Sequence, residues 1–323
     1  MQAFEYASPT TLAEAFALLA SGDAQVLAGG TDQISLMKEY IHTPKRVVNI
    51  KGIRELGGVS HAPSGLRIGA SVTFDELMNN ALVRASYPSL HAALVGVTSP
   101  QIRNMGTVGG DLCQRPRCWY FRNGFGLFGM KDGKSLVPDG ENKYHAIFGG
   151  GPAYFVSASS LGPALIALNA KVTIRSAGGS RSVPAEKFFV NPKDDQTREI
   201  DLKPDEILTE ILIPAGAVKN ATYEVRQKEA LDWPLVTASV ALHMDGTKVR
   251  SARIVLGHVA PTPWISDDAA KSLVGQTLDA VSAEKAGAAA VAGAQPLSQN
   301  GYKVQLAKVA VKRALLAAAG KEA

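Results

Sequence analysis

Two nine-residue runs, Val236 to Met244 and Lys248 to Leu256, meet at Asp245-Gly246. An Asp-Gly step between strand-like runs is the strongest short-range hairpin signal, because both central residues of a type I′ turn take positive φ. Antiparallel sheet is therefore expected in a third unit that starts after Pro214. Alanine-rich helical segments close it, at Ser266 to Val274, Asp279 to Ala292 and Tyr302 to Ala319.

The first unit alternates strands with helices. Thr11-Leu12-Ala13-Glu14 reads as a capping box ahead of an apolar stripe at Leu12, Phe16 and Leu19. A strand at Val26-Leu27, a turn at Gly29-Gly30, a helix from Gln33 to Tyr40 and a strand from Val47 to Ile50 follow. The second unit has a strand at Leu66 to Ala70, a helix capped by Thr73 with Glu76 three residues on, and helical patterning to Val97. After a glycine-rich stretch, Gly106 to Gly110, comes an irregular loop from about Gln114 to Pro152, then a strand at Ala153 to Ser157, a helix at Pro163 to Leu168 and a strand at Lys171 to Arg175. A loop that long inside a compact domain usually has a purpose. The 323 residues thus divide into 1–57, 58–215 and 216–323, in keeping with a length about twice that of one domain.

The net charge is +5, but Lys and Arg are scattered singly among acids with no run of five. That pattern argues against nucleic acid as a partner. The longest apolar stretches, such as Ala286 to Ala294, are broken by Gly and fall far below the roughly 20 residues of a membrane span. No basic cluster precedes the first apolar run, so the chain reads as cytoplasmic, with export of the folded protein on a signal-bearing partner left open.

Glycines matter where backbone N–H groups must approach an anion closely. Two stretches qualify: Leu27-Ala28-Gly29-Gly30-Thr31-Asp32, between a strand and a helix, and Arg103-Asn104-Met105-Gly106-Thr107-Val108-Gly109-Gly110-Asp111. Either could be a plain turn; together they suggest a dinucleotide held by its diphosphate. Two other strings are decoys. Gly124-Phe125-Gly126-Leu127-Phe128-Gly129 has Rossmann-like letters, yet Lys131-Asp132-Gly133 and Pro138 leave no room for the crossover helix. Gly133-Lys134-Ser135 lacks the earlier glycine of a P-loop, since Phe128 stands there. The six histidines show neither H-x-x-x-H nor H-E-x-x-H spacing, and no G-x-S-x-G elbow occurs. Neither a zinc site nor a hydrolytic nucleophile is expected.

The two glycine stretches, with Pro163-Ala164-Leu165-Ile166-Ala167-Leu168 and Gly257-His258-Val259-Ala260-Pro261-Thr262-Pro263 in the same order, resemble the FAD-binding medium subunits of the molybdenum hydroxylases, the xanthine dehydrogenase and carbon monoxide dehydrogenase family. The resemblance implies an α+β chain: a FAD-binding fold of the vanillyl-alcohol-oxidase type in two α/β subdomains, plus a C-terminal domain of antiparallel sheet and helices. It implies FAD contacts at Leu27, Ala28, Gly29, Gly30, Thr31 and Asp32, at Asn104, Gly106, Thr107, Val108, Gly109, Gly110 and Asp111, and at Ser160, Leu208 and Lys228. Arg226, Asp232 and Trp233 share with Lys228 the segment that approaches the flavin ring in relatives. Asp111 replaces the family's usual Asn and adds charge beside a diphosphate; Ser160 replaces an Asp that binds the nucleotide. Somewhat weaker FAD retention is the expected result.

Cys113-Gln114-Arg115-Pro116-Arg117-Cys118 and the loop after it resemble the aldehyde oxidoreductase and hydroxybenzoyl-CoA reductase branch, whose inserted loop carries a [4Fe–4S] cluster. Four thiolates are needed and the chain has two cysteines, so no iron–sulfur cluster is expected here. What the resemblance implies in function is an electron-transfer subunit with no catalytic side chain of its own. It would take electrons from a [2Fe–2S] small subunit, beside a molybdenum-containing large subunit, and pass them to NAD, a quinone or oxygen. A self-sufficient flavin oxidase and a flavin-free scaffold subunit are the alternatives. The first should carry a substrate pocket with its own base; the second should lack a flavin spectrum.

Overall fold

A computed structural model describes residues 1–194, 197–216 and 218–321. Near the N-terminus, three parallel strands, Glu5–Ala7, Arg46–Asn49 and Ala24–Leu27, lie side by side in that order. The helix Leu12–Ala20 buries Leu12, Ala15, Phe16 and Leu19 against Val48, Ile50, Ile53 and Leu56. Its cap is shifted from the expected box. Glu14 N–H donates to Thr11 Oγ1 at 3.2 Å, but the Glu14 carboxylate accepts from the N–H of Thr10 at 2.8 Å. Ala24–Leu27 runs out of its carboxyl end into Gly29-Gly30 and then the helix Gln33–Lys38. Ligand crevices of α/β sheets form at such strand ends.

The second sheet is antiparallel throughout, with strands Val59–Ala62, Gly65–Gly69, Ile207–Pro214, Lys171–Ser176 and Gly179–Pro184 in that order. Helices Phe74–Met78, Ala81–Ser86 and Pro88–Gly96 follow its second strand. Here the capping box is reciprocal: Glu76 N–H donates to Thr73 Oγ1 at 3.2 Å, and Thr73 N–H to the Glu76 carboxylate at 2.7 Å. The central strand Ile207–Pro214 pairs with Gly65–Gly69, a contact between segments far apart in sequence.

The third sheet holds Lys219–Val225, Val236–Asp245, Lys248–Gly257 and Trp264–Ile265, all antiparallel. The hairpin forms where expected, but its turn sits one residue later. Asp245 pairs with Lys248, so Gly246 and Thr247 form the loop, and of these Gly246 alone has positive φ, +57°. Helices Asp267–Leu273, Ala280–Val291 and Tyr302–Ala318 cover this sheet. Small residues let the last two approach closely: a Cβ on Gly287 would lie 2.5 Å from the Lys308 carbonyl.

Two further expectations are corrected. Ala153 to Ser157 is extended but belongs to no strand, because its partners change along its length. Tyr154 carbonyl accepts from Ala146 N–H at 2.8 Å, and Ser157 N–H donates to Ala260 carbonyl at 2.9 Å. The loop 114–152 is only partly irregular. It contains the short helix Trp119–Arg122 and a hairpin, Met130–Lys131 with Lys134–Ser135. Phe121, Leu127 and Phe128 bury themselves there with Phe155 and Leu36. Among the described residues, no helix is long and apolar enough to cross a membrane.

Candidate functional site

One cleft of about 580 Å³ separates the first two units and reaches the third, within the size range of small-molecule and cofactor sites. Both glycine loops line it, and they touch. A Cβ on Gly29 would overlap the Met105 carbonyl and reach Gly106 Cα at 3.0 Å, so only glycine lets these backbones close together.

The two loops are not equivalent as donors. Among the described residues, the N–H groups of Gly29, Gly30, Thr31 and Asp32 have no protein acceptor. In the second loop, Val108 N–H donates to Val72 carbonyl, Gly109 N–H to Ala70 carbonyl, Gly110 N–H to Thr107 Oγ1 and Asp111 N–H to Thr107 carbonyl, at 2.8–3.1 Å. Thr107 N–H alone there is left over. The glycines of this loop serve packing: a Cβ on Gly109 would meet Ala70 Cβ at 2.8 Å, and one on Gly106 the Phe74 ring at 3.1 Å.

Of the residues expected to contact a cofactor, Ala28, Gly29, Gly30, Thr31, Asp32, Gly106, Thr107, Gly109, Gly110, Asp111, Ser160 and Leu208 line the cleft. Leu27, Asn104, Val108 and Lys228 do not. Leu27 lies in its strand, Val108 is fully buried, Asn104 is exposed and bonds the Pro100 carbonyl, and Lys228 is exposed with its N–H on Asp232 Oδ2 at 3.1 Å. From the same segment Asp232 and Trp233 line the cleft, while Arg226 pairs with Glu224 outside it.

The two acidic loop residues turn toward protein. Asp111 is buried, and its carboxylate accepts from Ser159 Oγ, from Ser160 N–H at 3.1 Å, from Leu161 N–H at 3.0 Å and from Gln114 Nε2 at 3.0 Å. The charge that Asp111 is expected to add beside a diphosphate is thus met by protein donors. Burial still raises its pKa, outweighing those bonds. Ser160 has a side-chain hydroxyl without a protein partner among the described residues. Asp32 gathers the loop that follows Cys113: its carboxylate accepts from Arg122 at 2.7 Å and from Arg115 N–H at 2.8 Å, and forms an ion pair with Arg117 at 3.2 Å.

Sequence reading missed the cationic wall. Arg115, Arg117 and Arg198 line the cleft with His42, Gln33 and Gln25. The Arg115 guanidinium bonds His42 Nε2 at 3.0 Å, and His42 Nδ1 lies 3.1 Å from Gln33 Oε1. Since Arg can only donate, His42 accepts at Nε2 and carries its proton on Nδ1. Burial and the charge of Arg115 lower its pKa to about 4. Arg117 stacks over Trp233 at 4.7 Å. Gln25 and Gln33 flank the first loop and Arg115 and Arg117 follow the second, whereas His42 and Arg198 join the cleft through long-range folding. Both cysteines are free thiols; burial pushes Cys113 up to about 12 and raises Cys118, whose Sγ lies 3.1 Å from His145 Nε2.

Residues 2–216 match the family described as FAD binding domain in molybdopterin dehydrogenase, and residues 221–318 the CO dehydrogenase flavoprotein C-terminal domain. The chain is 30% identical over 322 residues to the carbon monoxide dehydrogenase medium chain of Hydrogenophaga pseudoflava, covering 98% of this chain and 96% of that one. It is 33% identical over 316 residues to an aldehyde oxidoreductase FAD-binding subunit of Escherichia coli, covering 95% and 96%. Among solved structures, carbon monoxide dehydrogenase from Hydrogenophaga pseudoflava is similar with a TM-score of 0.77 at 28% identity, covering 99% of this chain and 98% of that one. Quinoline 2-oxidoreductase from Pseudomonas putida gives 0.77 at 27%, covering 98% and 97%.

Proposed function

Because the chain belongs to the FAD-binding subunits of the molybdenum hydroxylases, we propose that its cleft holds one FAD and relays electrons from a [2Fe–2S] small subunit to an external acceptor, NAD, a quinone or oxygen. Those electrons originate on a molybdenum-containing large subunit, which oxidises the substrate. The bound flavin supplies the step between one-electron donors and a two-electron acceptor; the protein supplies position and electrostatics. The observation that carries this reading is the run of four unmet amides from Gly29 to Asp32, facing the cleft where the second loop closes on it. Unmet backbone donors in a concave site suit a diphosphate.

The amide of Thr107 and the hydroxyls of Thr31 and Ser160 add donors along the same wall. Leu208, Ile207 and Val26 offer apolar surface, and Trp233 with Leu231 and Pro234 an aromatic arm. The units 1–57, 58–215 and 216–323 are assigned as the two FAD-binding subdomains and the C-terminal domain, each with a sheet of its own. With two cysteines in the chain, the loop after Cys113 holds no [4Fe–4S] cluster, which needs four thiolates; Asp32 and its arginines hold the start of that loop instead. Production with its partner subunits tests the assignment. A flavin band near roughly 450 nm and co-purification with a molybdenum protein are expected; folded protein without flavin would overturn it.

A further inference from the structure

A chain of hydrogen bonds runs along the cleft wall from a largely buried ion pair to Gln25. Arg115 pairs with Glu199, and its guanidinium also bonds His42 Nε2 at 3.0 Å; His42 Nδ1 lies 3.1 Å from Gln33 Oε1, and Gln33 Nε2 donates to Gln25 Oε1. The polarity of the chain is fixed at the arginine end. A guanidinium only donates, so His42 accepts on Nε2 and donates from Nδ1 to Gln33 Oε1. That leaves Gln33 its amide nitrogen for Gln25, which must accept through Oε1. Both N–H groups of Gln25 Nε2 remain, with no protein acceptor among the described residues, and the residue lines the cleft. Burial and the charge of Arg115 lower the His42 pKa to about 4, so the ring is neutral and the polarity holds at neutral pH.

The position of Gln25 decides what it meets. It lies on Ala24–Leu27, an edge strand of the first sheet. The cleft follows that strand back from the glycine loop, past Val26 and Ala24, and is walled there by Ile50 and Ile207, which pack with Val26 in one apolar cluster. Ala24, Gln25 and Val26 are half-buried, whereas Trp233 and Leu231, lining the cleft from the third unit, are 41% and 75% exposed. A ring that exchanges electrons with other subunits and with an acceptor needs the exposed arm; the redox-inert adenine takes the enclosed one. Adenine carries ring-nitrogen acceptors next to an exocyclic amine, and a glutamine amide matches that pair with one donor and one acceptor. Gln25 still has a second lone pair on Oε1 for the amine. We infer that Gln25 reads the adenine of bound FAD, and that Arg115, His42 and Gln33 are positioning residues that fix which amide atom faces the ring nitrogen. The inference rests on the FAD reading above.

The test is the affinity of the flavin-stripped complex for FAD and for FMN, which lacks the adenylate, in wild type and in three variants. Gln25→Glu keeps an acceptor for Gln33 and loses the donor; the loss of that hydrogen bond should weaken FAD binding about tenfold and leave FMN binding unchanged. Gln25→Leu repeats the loss without adding a charge. Gln33→Glu still accepts from His42 but offers Gln25 no donor, so the Gln25 amide is free to turn and part of the preference for FAD should go, again with FMN unchanged. Equal losses of FAD and FMN in the Gln25 variants overturn the inference, because they put Gln25 on the flavin or the phosphate that the two ligands share. An unchanged FAD affinity in a folded Gln25 variant overturns it as well. Wild-type FAD affinity in Gln33→Glu overturns the positioning role. A folded wild type that binds neither flavin overturns the FAD reading and this inference with it.

Discussion

Asp111 Oδ2 accepts the backbone N–H of Leu161 at 3.0 Å, joining the second glycine loop to the start of the helix Gly162–Ala167. The bond matters because Ser160, on the same turn, reaches the cleft only if that turn stays in place. A carboxylate with several protein donors has left water without becoming an orphan. Asp111→Ala strips the acceptor from two amides and two side-chain donors, and should destabilise the protein by about 2–4 kcal/mol. Urea unfolding of the full chain measures it.

The same carboxyl gives a pH signature. Its pKa is raised in the fold, chiefly by burial. A raised pKa means the folded protein binds the proton more tightly than the unfolded chain, so this contribution to stability is full below the unfolded-state pKa. It is lost as pH rises through the folded-state pKa. Asp111→Asn cannot titrate and keeps an acceptor, so the variant should show a smaller decline of the urea midpoint than wild type across that window. Parallel profiles would exclude Asp111 as the source.

Glycines of the two loops should differ sharply under substitution. Gly29→Ala drives a methyl into the Met105 backbone, which cannot rotate away, whereas a Cβ on Gly110 meets only the Thr107 hydroxyl at 2.9 Å. Overpacking of this kind costs about 1–3 kcal/mol and shifts backbone. Gly29→Ala should therefore lose flavin and melting temperature together, while Gly110→Ala keeps more of both. Flavin-to-protein absorbance ratios and thermal scans decide it, and equal losses would contradict the packing asymmetry.

Legibility followed sequence distance. The glycine loops, the Thr73 cap and the hairpin at residues 245–247 are local, and each is written in adjacent residues. The contacts that hold the rest of the cleft are not. Asp32 meets Arg122 across 90 positions, and Arg198 lies beside His42 only because the chain returns to the first unit. Ala153 to Ser157 misled for a related reason. Its buried Ala153 and Phe155 mimic a half-buried strand, but burial of alternate residues does not supply the neighbouring strand that makes a ladder.

The two cysteines supply a chemical test of the loop. Cys113 and Cys118 are thiols whose pKa values burial raises, so neither is poised as a thiolate nucleophile. Iron and acid-labile sulfide assays of the isolated chain should give none, and Cys118→Ser should leave flavin content unchanged. Iron bound in stoichiometric amount would show that ligands beyond these two thiols complete a cluster.

Lys303 offers a last prediction, in the third unit. Its ammonium is buried and donates to the carbonyls of Tyr144 at 3.2 Å, His145 at 3.2 Å and His258 at 2.5 Å, holding the final helix to the turn at Gly257-His258. Burial lowers its pKa to about 7, against an unfolded value near 10.4. Between those limits the unfolded chain binds the proton and the folded protein releases it, so stability rises with pH from about 7 toward about 10. Below that window the contribution is lost, even with three carbonyls in place. Lys303→Met fills the same space without titrating, and its stability should be flatter across the window, with the difference from wild type greatest at the acid end. Guanidinium unfolding at a series of pH values measures this. If Lys303→Met keeps the wild-type slope, the rise belongs to another group and the three carbonyls hold the ammonium charged throughout.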